Sequence, residues 1–346
     1  LARRPERGPE WAGAEGGARR ASGVHLVTGA GGFIGRALVE SLAAGGEPVR
    51  AMFRTPPQAL PSGAESITAD LSDPLALRRA VAGCDSVFHL AGKAHDLDAA
   101  TRSDAFRAAN VDGTRSILEA ALEAGTASFV FASSVKAMGE GGEECLDEEA
   151  PASPRSPYGR SKLEAEGLVL EAGARSRMRA TVLRLPLVYG PRMKGNLLSM
   201  LDAIESGFFP PLPGVANRRS LASVGDVVQA FRLSAAAPAA AGRTYLVTDG
   251  VDYSSRGIYD AMREALGKRP VRWSVPLTAL RAAAAFGDAA AGATGRRVPF
   301  GRAALEKLLG SACYRNERIR RELGFRPVTT LQAALPEIVR IRRSGP

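Results

Sequence analysis

The chain has 346 residues, 45% of them hydrophobic and 24% charged, with a formal net charge of +10. That length and hydrophobic share can bury one large core or two smaller ones, which excludes a disordered or fibrous chain. No zinc-finger spacing, RNP aromatics or basic heptads accompany the charge, so it reads as a solvated basic face and not as a nucleic-acid site. Most of the excess is C-terminal, with twelve Lys/Arg against four Asp/Glu between Arg296 and Arg343. Cys84, Cys145 and Cys313 are odd in number and far apart in sequence. They suggest neither a disulfide framework nor metal-ligand spacing, and they fit a reducing cytoplasm. His25, His89 and His95 contain no i,i+4 pair, so no metal is expected.

Residues 1–22 are rich in Arg, Gly, Ala and Glu and have no apolar h-region, so they read as a disordered extension and not as a secretory signal. Val24–Val27 is a short apolar run. It leads into Thr28-Gly-Ala-Gly-Gly-Phe-Ile-Gly35 and then into an apolar-periodic segment, Phe33–Ala44, which ends at Gly45-Gly46. This is strand, tight turn, helix. Gly29 allows the turn, Gly32 lets the backbone approach a pyrophosphate, and Gly35 lets helix pack on strand. The free N–H groups of the helix start would face the phosphates. A glycine turn without a ligand is the competing reading.

Pro48–Phe53 is the second strand. Where this type of fold often carries an acidic residue for a ribose hydroxyl, the chain has Phe53-Arg54. Arg54 either meets a 2′-phosphate, stacks on adenine or faces water. A third strand, Ser66–Ala69, runs into Asp70-Leu71, and a short helix, Leu75–Val81, follows. Ser86–Leu90 is a buried strand ending in Ala91-Gly92, small residues where ligands of open α/β sheets bind; His89 within it reads as a packed core histidine. Asp104–Glu123 is a long helix. Ser128–Ala132 is the fifth strand, running into Ser133-Ser134, and Met138–Ser156 is a polar loop. Ser156-Pro157 opens the next helix with a cap and an N1 proline. Ala180–Arg184 is the sixth strand. The alternation predicts a doubly wound parallel sheet, an α/β fold of Rossmann type.

Beyond Pro191 the pattern changes to a smaller α/β portion, intertwined with the first by chain crossings. Its expected strands are Arg243–Val247 and Val271–Val275. Its expected helices are Asn196–Glu205, Val224–Ala235, Ser254–Leu266 and Ala303–Leu309. The run Leu277–Gly295 is the nearest to a membrane span, but Arg281, Asp288 and several glycines interrupt it.

Tyr158 and Lys162 are four apart on a helix and so share a face. A cation beside a phenol favours the phenolate and lowers its pKa from about 10, which suits Tyr158 to general acid–base work. Ser134, at a strand's carboxyl end, can hold the substrate oxygen. A Y-x-x-x-K alone is usually a helix surface pair. Downstream of a strand–glycine turn–helix, and one strand after a Ser-Ser strand end, it is a strong signal.

These residues resemble the extended short-chain dehydrogenase/reductase family, the NAD(P)-dependent epimerase/dehydratases. The likeness is carried by Thr28–Gly35, His89-Leu-Ala-Gly92, Asn110-Val-Asp-Gly-Thr114, Ser133-Ser134, Tyr158-Gly-Arg-Ser-Lys162, Arg184-Leu-Pro-Leu-Val-Tyr-Gly-Pro191, and Arg219 before Asp226. It extends from about Gly23 to Val339. Within the family the chain is most similar to UDP-N-acetyl-sugar 4-epimerases and UDP-4-keto-sugar reductases of bacterial surface-polysaccharide pathways, on Ser134–Gly139, Lys194–Leu197, Asn217–Ser220 and Arg320–Pro327.

The resemblance implies an NAD(P)-binding domain over 23–190 and a mainly nucleotide-sugar-binding portion over 191–346. It implies that Ser134, Tyr158 and Lys162 are catalytic. Gly29, Gly32, Phe33, Ile34, Gly35, Arg54, Asp70, Leu71, Leu90, Ala91, Gly92, Leu185 and Val188 would line NAD or NADP, together with Tyr158 and Lys162. Ser134, Asn196, Leu197 and Arg219 would hold the UDP-sugar, Arg219 by its guanidinium fork on the diphosphate. An interdomain salt bridge is the other reading of Arg219, and Lys93 and Lys136 are either substrate contacts or solvated lysines. The implied activity is 4-epimerisation of a UDP-N-acetylhexosamine through a 4-keto intermediate. The alternatives are reduction of a UDP-4-keto-6-deoxy sugar, a 3β-hydroxysteroid-type dehydrogenase and a non-catalytic NAD(P) sensor. A cytoplasmic homodimer, joined through Asp104–Glu123 and Tyr158–Glu171, is expected, with no nucleic-acid partner and no integral membrane segment.

Overall fold

In the computed structural model the described residues are 23–344, apart from 58, 95–101, 140, 143 and 295–299. The extension at 1–22 and His95 lie outside them. A seven-stranded parallel sheet has the order β3-β2-β1-β4-β5-β6-β9, formed by β1 (Val24–Thr28), β2 (Val49–Phe53), β3 (Ala64–Thr68), β4 (Cys84–His89), β5 (Ser128–Ser134), β6 (Arg179–Leu185) and β9 (Arg243–Leu246). The strands alternate with α1 (Phe33–Ala44), α2 (Pro74–Val81), α3 (Arg102–Phe106), α4 (Gly113–Glu123) and α5 (Pro157–Ala174). A second, three-stranded sheet has the order β10-β8-β7, from β7 (Leu187–Tyr189), β8 (Arg219–Ser223) and β10 (Asp252–Tyr253). Around it lie α6 (Asn196–Glu205), α7 (Val224–Ala236), α8 (Ser255–Ala265), α9 (Leu277–Thr294), α10 (Arg302–Leu309), α11 (Glu317–Leu323) and α12 (Leu331–Arg343).

The large sheet is covered on both faces, so its central strands are buried on both sides, while the edge strand β3 is largely exposed. Leu38 and Leu42 of α1, Val227 and Phe231 of α7 and Ile319 of α11 pack on one face. Leu77 and Val81 of α2, Ile117 and Ala121 of α4 and Ala165 and Val169 of α5 pack on the other. A third core joins α6, α8 and α12 through Leu201, Tyr259 and Leu335. No helix among the described residues is long and apolar enough to cross a membrane.

Several expectations are corrected. Val271–Val275 is not a strand. It lies between Pro270 and Pro276, and Val275 makes a backbone bond to Pro211 of 3.0 Å in place of a ladder. The third strand starts two residues early, at Ala64, and the fifth continues through Ser133 and Ser134. The helix expected over Asp104–Glu123 contains a π-helical turn, Arg107–Asp112, and such turns often occur at functional sites. The cysteines are corrected as well: Cys145 and Cys313, 168 residues apart, are joined as a disulfide with Cα atoms 4.4 Å apart. Their spacing carried no sign of this because the two segments meet only as an isolated bridge, Leu146 with Tyr314.

Candidate active site

The strand order reverses at β1, which pairs with β2 on one side and β4 on the other. The carboxyl ends of β1 and β4 therefore open a crevice of the kind that holds dinucleotides. Gly29 begins the turn with a left-handed φ of +68°. A Cβ there would lie 2.8 Å from Ala91 N and from the Leu90 carbonyl carbon, so both its conformation and its closeness to β4 require glycine. A Cβ on Gly35 would lie 2.2 Å from Gly29 O. The helix start thus sits directly on the turn. Its cap, Gly32, makes no side-chain hydrogen bond, leaving the first amides of α1 for a ligand. Beside the turn is a cavity of about 220 Å³, lined by Gly31, Gly32, Phe33, Arg36, Arg192 and Lys194 among others. The cradle fits a dinucleotide pyrophosphate. Gly35→Ala is expected to weaken NAD(P)H binding by at least about tenfold. Fluorescence titration with NAD(P)H checks this.

Behind the turn the buried His89 bridges two threonines. Thr114 Oγ1 donates to Asn110 O at 2.6 Å, so His89 Nε2 donates to Thr114 Oγ1 at 3.0 Å and His89 Nδ1 accepts from Thr28 Oγ1 at 2.8 Å. Thr28 Oγ1 in turn accepts the amides of Leu90 and Ala91. Burial, and then the Lys162 charge, push the His89 pKa down to about 3. It is a neutral strut and not an acid–base group.

Asn110 occupies the π-helical turn. Its Oδ1 accepts Lys93 N at 2.7 Å, and its Nδ2 donates to Lys93 O and to Ser161 Oγ, each at 3.0 Å. A Cβ on Gly92 would come within 2.7 Å of Asn110 Oδ1 and 3.8 Å of Lys162 Nζ. Gly92, Asn110 and Lys162 therefore meet at the end of β4.

Helix α5 begins as its sequence dictates, with Ser156 Oγ accepting Gly159 N at 3.0 Å and Pro157 following. Its start packs tightly on the turn after β5, since a Cβ on Gly159 would lie 2.3 Å from Lys136 O. This close contact brings the expected trio together. The Tyr158 phenol lies beside Ser134, whose hydroxyl favours the phenolate. Lys162 Nζ donates to Ala132 O at 2.7 Å and lies 4.3 Å over the Phe131 ring. One turn further, Glu166 accepts from Ser133 Oγ at 2.5 Å and from Arg184 at 2.7–3.2 Å in a forked pair. Three side chains spaced i, i+4, i+8 thus engage three consecutive β5 residues.

Burial pulls the Lys162 pKa down to about 8, against the Glu166 charge, which raises it. Tyr158 moves opposite to the expectation from its neighbouring lysine. Burial raises its pKa, and the Ser134 hydroxyl only partly opposes that. The phenol is a held proton in the protein alone.

The remaining site candidates divide. Leu185 lies opposite Ser134 in the sheet register, and Val188 lies in β7 just beyond. Arg54 and Asp70 are exposed at the ends of β2 and β3. Asp70 is held below its usual range chiefly by hydrogen bonds from Ser72 and weakly by Arg54. Leu71 packs on the α4 start, where a Cβ on Gly113 would meet its side chain at 2.8 Å. Asn196 is exposed at the start of α6, whereas the Leu197 side chain is buried in the third core. Arg219 starts β8, two residues before Leu221, which pairs with Leu187. Its Nη1 donates to Lys307 O at 2.7 Å and Gly310 O at 3.0 Å. It has no carboxylate partner among the described residues, contrary to the salt-bridge reading, and burial lowers its pKa. Asn110, Ser161, Glu166 and Arg184 were not read as site residues. The i+4 spacing of Glu166 from Lys162 was the available signal.

The family model described as "NAD dependent epimerase/dehydratase family" matches residues 25–248. The chain is 31% identical to a 4-hydroxy-2-methyl-3-oxo-4-farnesyl-3,4-dihydroquinoline-1-oxide ketoreductase of Stigmatella aurantiaca, over 93% of this chain and 96% of that one. It is 28% identical to a UDP-glucose 4-epimerase of Vibrio cholerae, over 89% and 92% of the two chains. Among solved structures it is similar to MoeE5 in complex with UDP-glucose and NAD, with a TM-score of 0.75 and 27% identity over 93% of this chain and 99% of that one.

Proposed function

The chain belongs to the NAD dependent epimerase/dehydratase family and is an NAD-dependent oxidoreductase-type enzyme, and from that premise we propose that it is a UDP-N-acetylhexosamine 4-epimerase acting through a 4-keto intermediate. The observation that carries a nucleotide-sugar substrate is Arg219. Its half-buried guanidinium is held by two carbonyls and is not neutralised by any carboxylate among the described residues. A cation placed so is suited to a diphosphate. A ketone without net charge, such as the quinoline-1-oxide named for the Stigmatella relative, gives it no full counter-charge.

Gly29, Gly32 and Gly35 with the first amides of α1 hold the pyrophosphate, and Gly92, Tyr158 and Lys162 flank the nicotinamide end. NAD held there would supply the acceptance and return of a hydride. Tyr158 takes the proton of the sugar 4-hydroxyl and later gives it back. Ser134, beside the same phenol, holds the reacting oxygen, and the fixed Lys162 charge favours the phenolate as the proton leaves. The sugar presents its other face before the proton returns, so no cofactor is consumed. Packing of α4 and α5 against a second copy is the expected dimer contact.

Two observations favour 4-keto reduction as a second reading. Arg54 directly follows β2, where an acidic residue is often found, which suits an exchangeable NADPH, and burial keeps Tyr158 protonated, ready to donate. Incubation with UDP-GlcNAc, UDP-GalNAc and a UDP-4-keto-6-deoxy sugar separates the two. Interconversion of the first pair without net cofactor change supports the epimerase. Stoichiometric NAD(P)H consumption on the third assigns the reductase, and turnover of none sinks both. If Arg54 selects NADP(H), Arg54→Asp reverses the ratio of NADPH to NADH affinity; an unchanged ratio removes Arg54 from cofactor choice.

A further inference from the structure

The disulfide joins the strap that runs beside Arg219 to a loop on the strap's other side. Residues 311–315 form a strap with partners on both sides. Toward β8, Ala312 N donates to Arg218 O at 2.7 Å, Ser220 N to Ala312 O at 2.9 Å, and Tyr314 N to Ser220 Oγ at 2.9 Å. Toward the loop that leads from Ser134 to α5, Leu146 N donates to Cys313 O at 3.0 Å and Arg315 N to Leu146 O at 2.9 Å. A Cβ on Gly141 would lie 2.9 Å from Ala312 Cα, so this loop presses on the strap at a second point. The strap begins directly after Gly310, whose carbonyl is one of the two that aim Arg219. The Cys145–Cys313 bond lies on the rung between loop and strap.

We propose that Cys145 and Cys313 are a reversible oxidation site whose disulfide tightens the Arg219 pocket on the diphosphate of its ligand. This rests on the nucleotide-sugar reading of Arg219. Cys145 is half-exposed and Cys313 is fully buried, which sets the order of events. The Cys145 thiolate attacks a small-molecule disulfide, forming a mixed disulfide and releasing one thiolate. Cys313 Sγ then attacks Cys145 Sγ and releases the second. Two protein thiols are oxidised to one disulfide, and the small disulfide is reduced to two thiols. Asp252 Oδ1, 3.3 Å from Cys313 Sγ, can accept the Cys313 thiol hydrogen in the open form, and the Arg218 guanidinium pairs with the same carboxylate. The backbone bonds on both sides of the strap do not depend on the sulfurs. Reduction therefore loosens the strap without unfolding it, and the loss falls on the aim of Arg219.

Thiol alkylation under denaturing, non-reducing conditions and calorimetric titration with UDP test this on the full chain. After treatment with oxidised glutathione, one cysteine is expected to be alkylated, the buried Cys84, and all three after dithiothreitol. UDP binding is expected to weaken by about tenfold on reduction, within the usual range of coupling between two sites. By the same linkage, saturating UDP makes the disulfide harder to reduce by the same factor. Cys145→Ser, at the half-exposed end, is expected to bind UDP like the reduced protein in either buffer, and Cys84→Ser like the parent. Three reactive thiols after the oxidant overturn the proposal, as does equal UDP affinity in both states. Zinc retained by the reduced protein on Cys145, Asp252 and Cys313 also overturns it, since these ligand atoms lie within 4.8 Å of one another. Absence of UDP binding in both states, with one free thiol, removes the nucleotide-sugar reading itself.

Discussion

Tyr158→Phe is expected to lower kcat by about 10²- to 10⁴-fold, the usual contribution of a positioned acid–base group, while NAD(P)H binding and the unfolding midpoint stay within error of the parent. The separation follows from where the hydroxyl sits. It lies beside Ser134 at the carboxyl end of β5, whereas the ring packs against Phe106 with centroids 5.7 Å apart. Removing the oxygen leaves the ring packing intact. Ser134 also keeps a role, since its Oγ accepts Lys136 N at 3.2 Å and caps the short turn after β5. Ser134→Ala therefore loses a cap as well as a ligand for the reacting oxygen, and Tyr158→Phe is the cleaner probe. Steady-state assay on the active UDP-sugar, with NAD(P)H titration in parallel, measures both quantities. Full activity in Tyr158→Phe excludes the phenol from proton transfer.

The large sheet was legible because short strands alternate with helices, with glycines after β1 and near the end of β4 and side-chain caps at Asp73 and Ser156. Phe33–Ala44 and Asn196–Glu205 have their expected bounds. The signal failed where tertiary partners decide the conformation. Val271–Val275 has strand-like residues but no neighbouring strand. The π-helical turn at Arg107–Asp112 is invisible to a 3.6-residue period, and it is the feature that brings Asn110 to Lys93 and Ser161. The glycine turn is pressed by the chain itself, Gly29 against the β4 end and Gly35 against the Gly29 carbonyl. The candidate trio was recognisable from its spacing together with its place at strand and helix ends. Its support was not, because Glu166, Ser133 and Arg184 come from three elements and meet only through the sheet register, in which Ser133 pairs with Arg184.

That support gives the largest expected effect on stability. Glu166 and Arg184 are 2% and 7% exposed, and the pair is shared with Ser133. Breaking a buried pair by removing one partner typically costs about 3–5 kcal/mol, because the other charge is left uncompensated. Glu166→Gln is expected to lose that much in denaturant unfolding. The double variant Glu166→Leu/Arg184→Met, which leaves no stranded charge, is expected to lose less than either single change. A merely local packing role predicts additive losses instead. The pH dependence is a separate readout. Glu166 is the group that raises the Lys162 pKa against burial. The buried ammonium disfavours the fold fully below about pH 8 and is relieved as pH rises from there toward the ordinary lysine value. The catalytic charge is lost over that same rise. Without the Glu166 carboxylate the Lys162 pKa falls below 8, so the alkaline limb of the rate profile moves to lower pH in Glu166→Gln. An unmoved limb, with stability lowered, leaves Glu166 as a clamp between α5, β5 and β6 that does not reach the lysine charge.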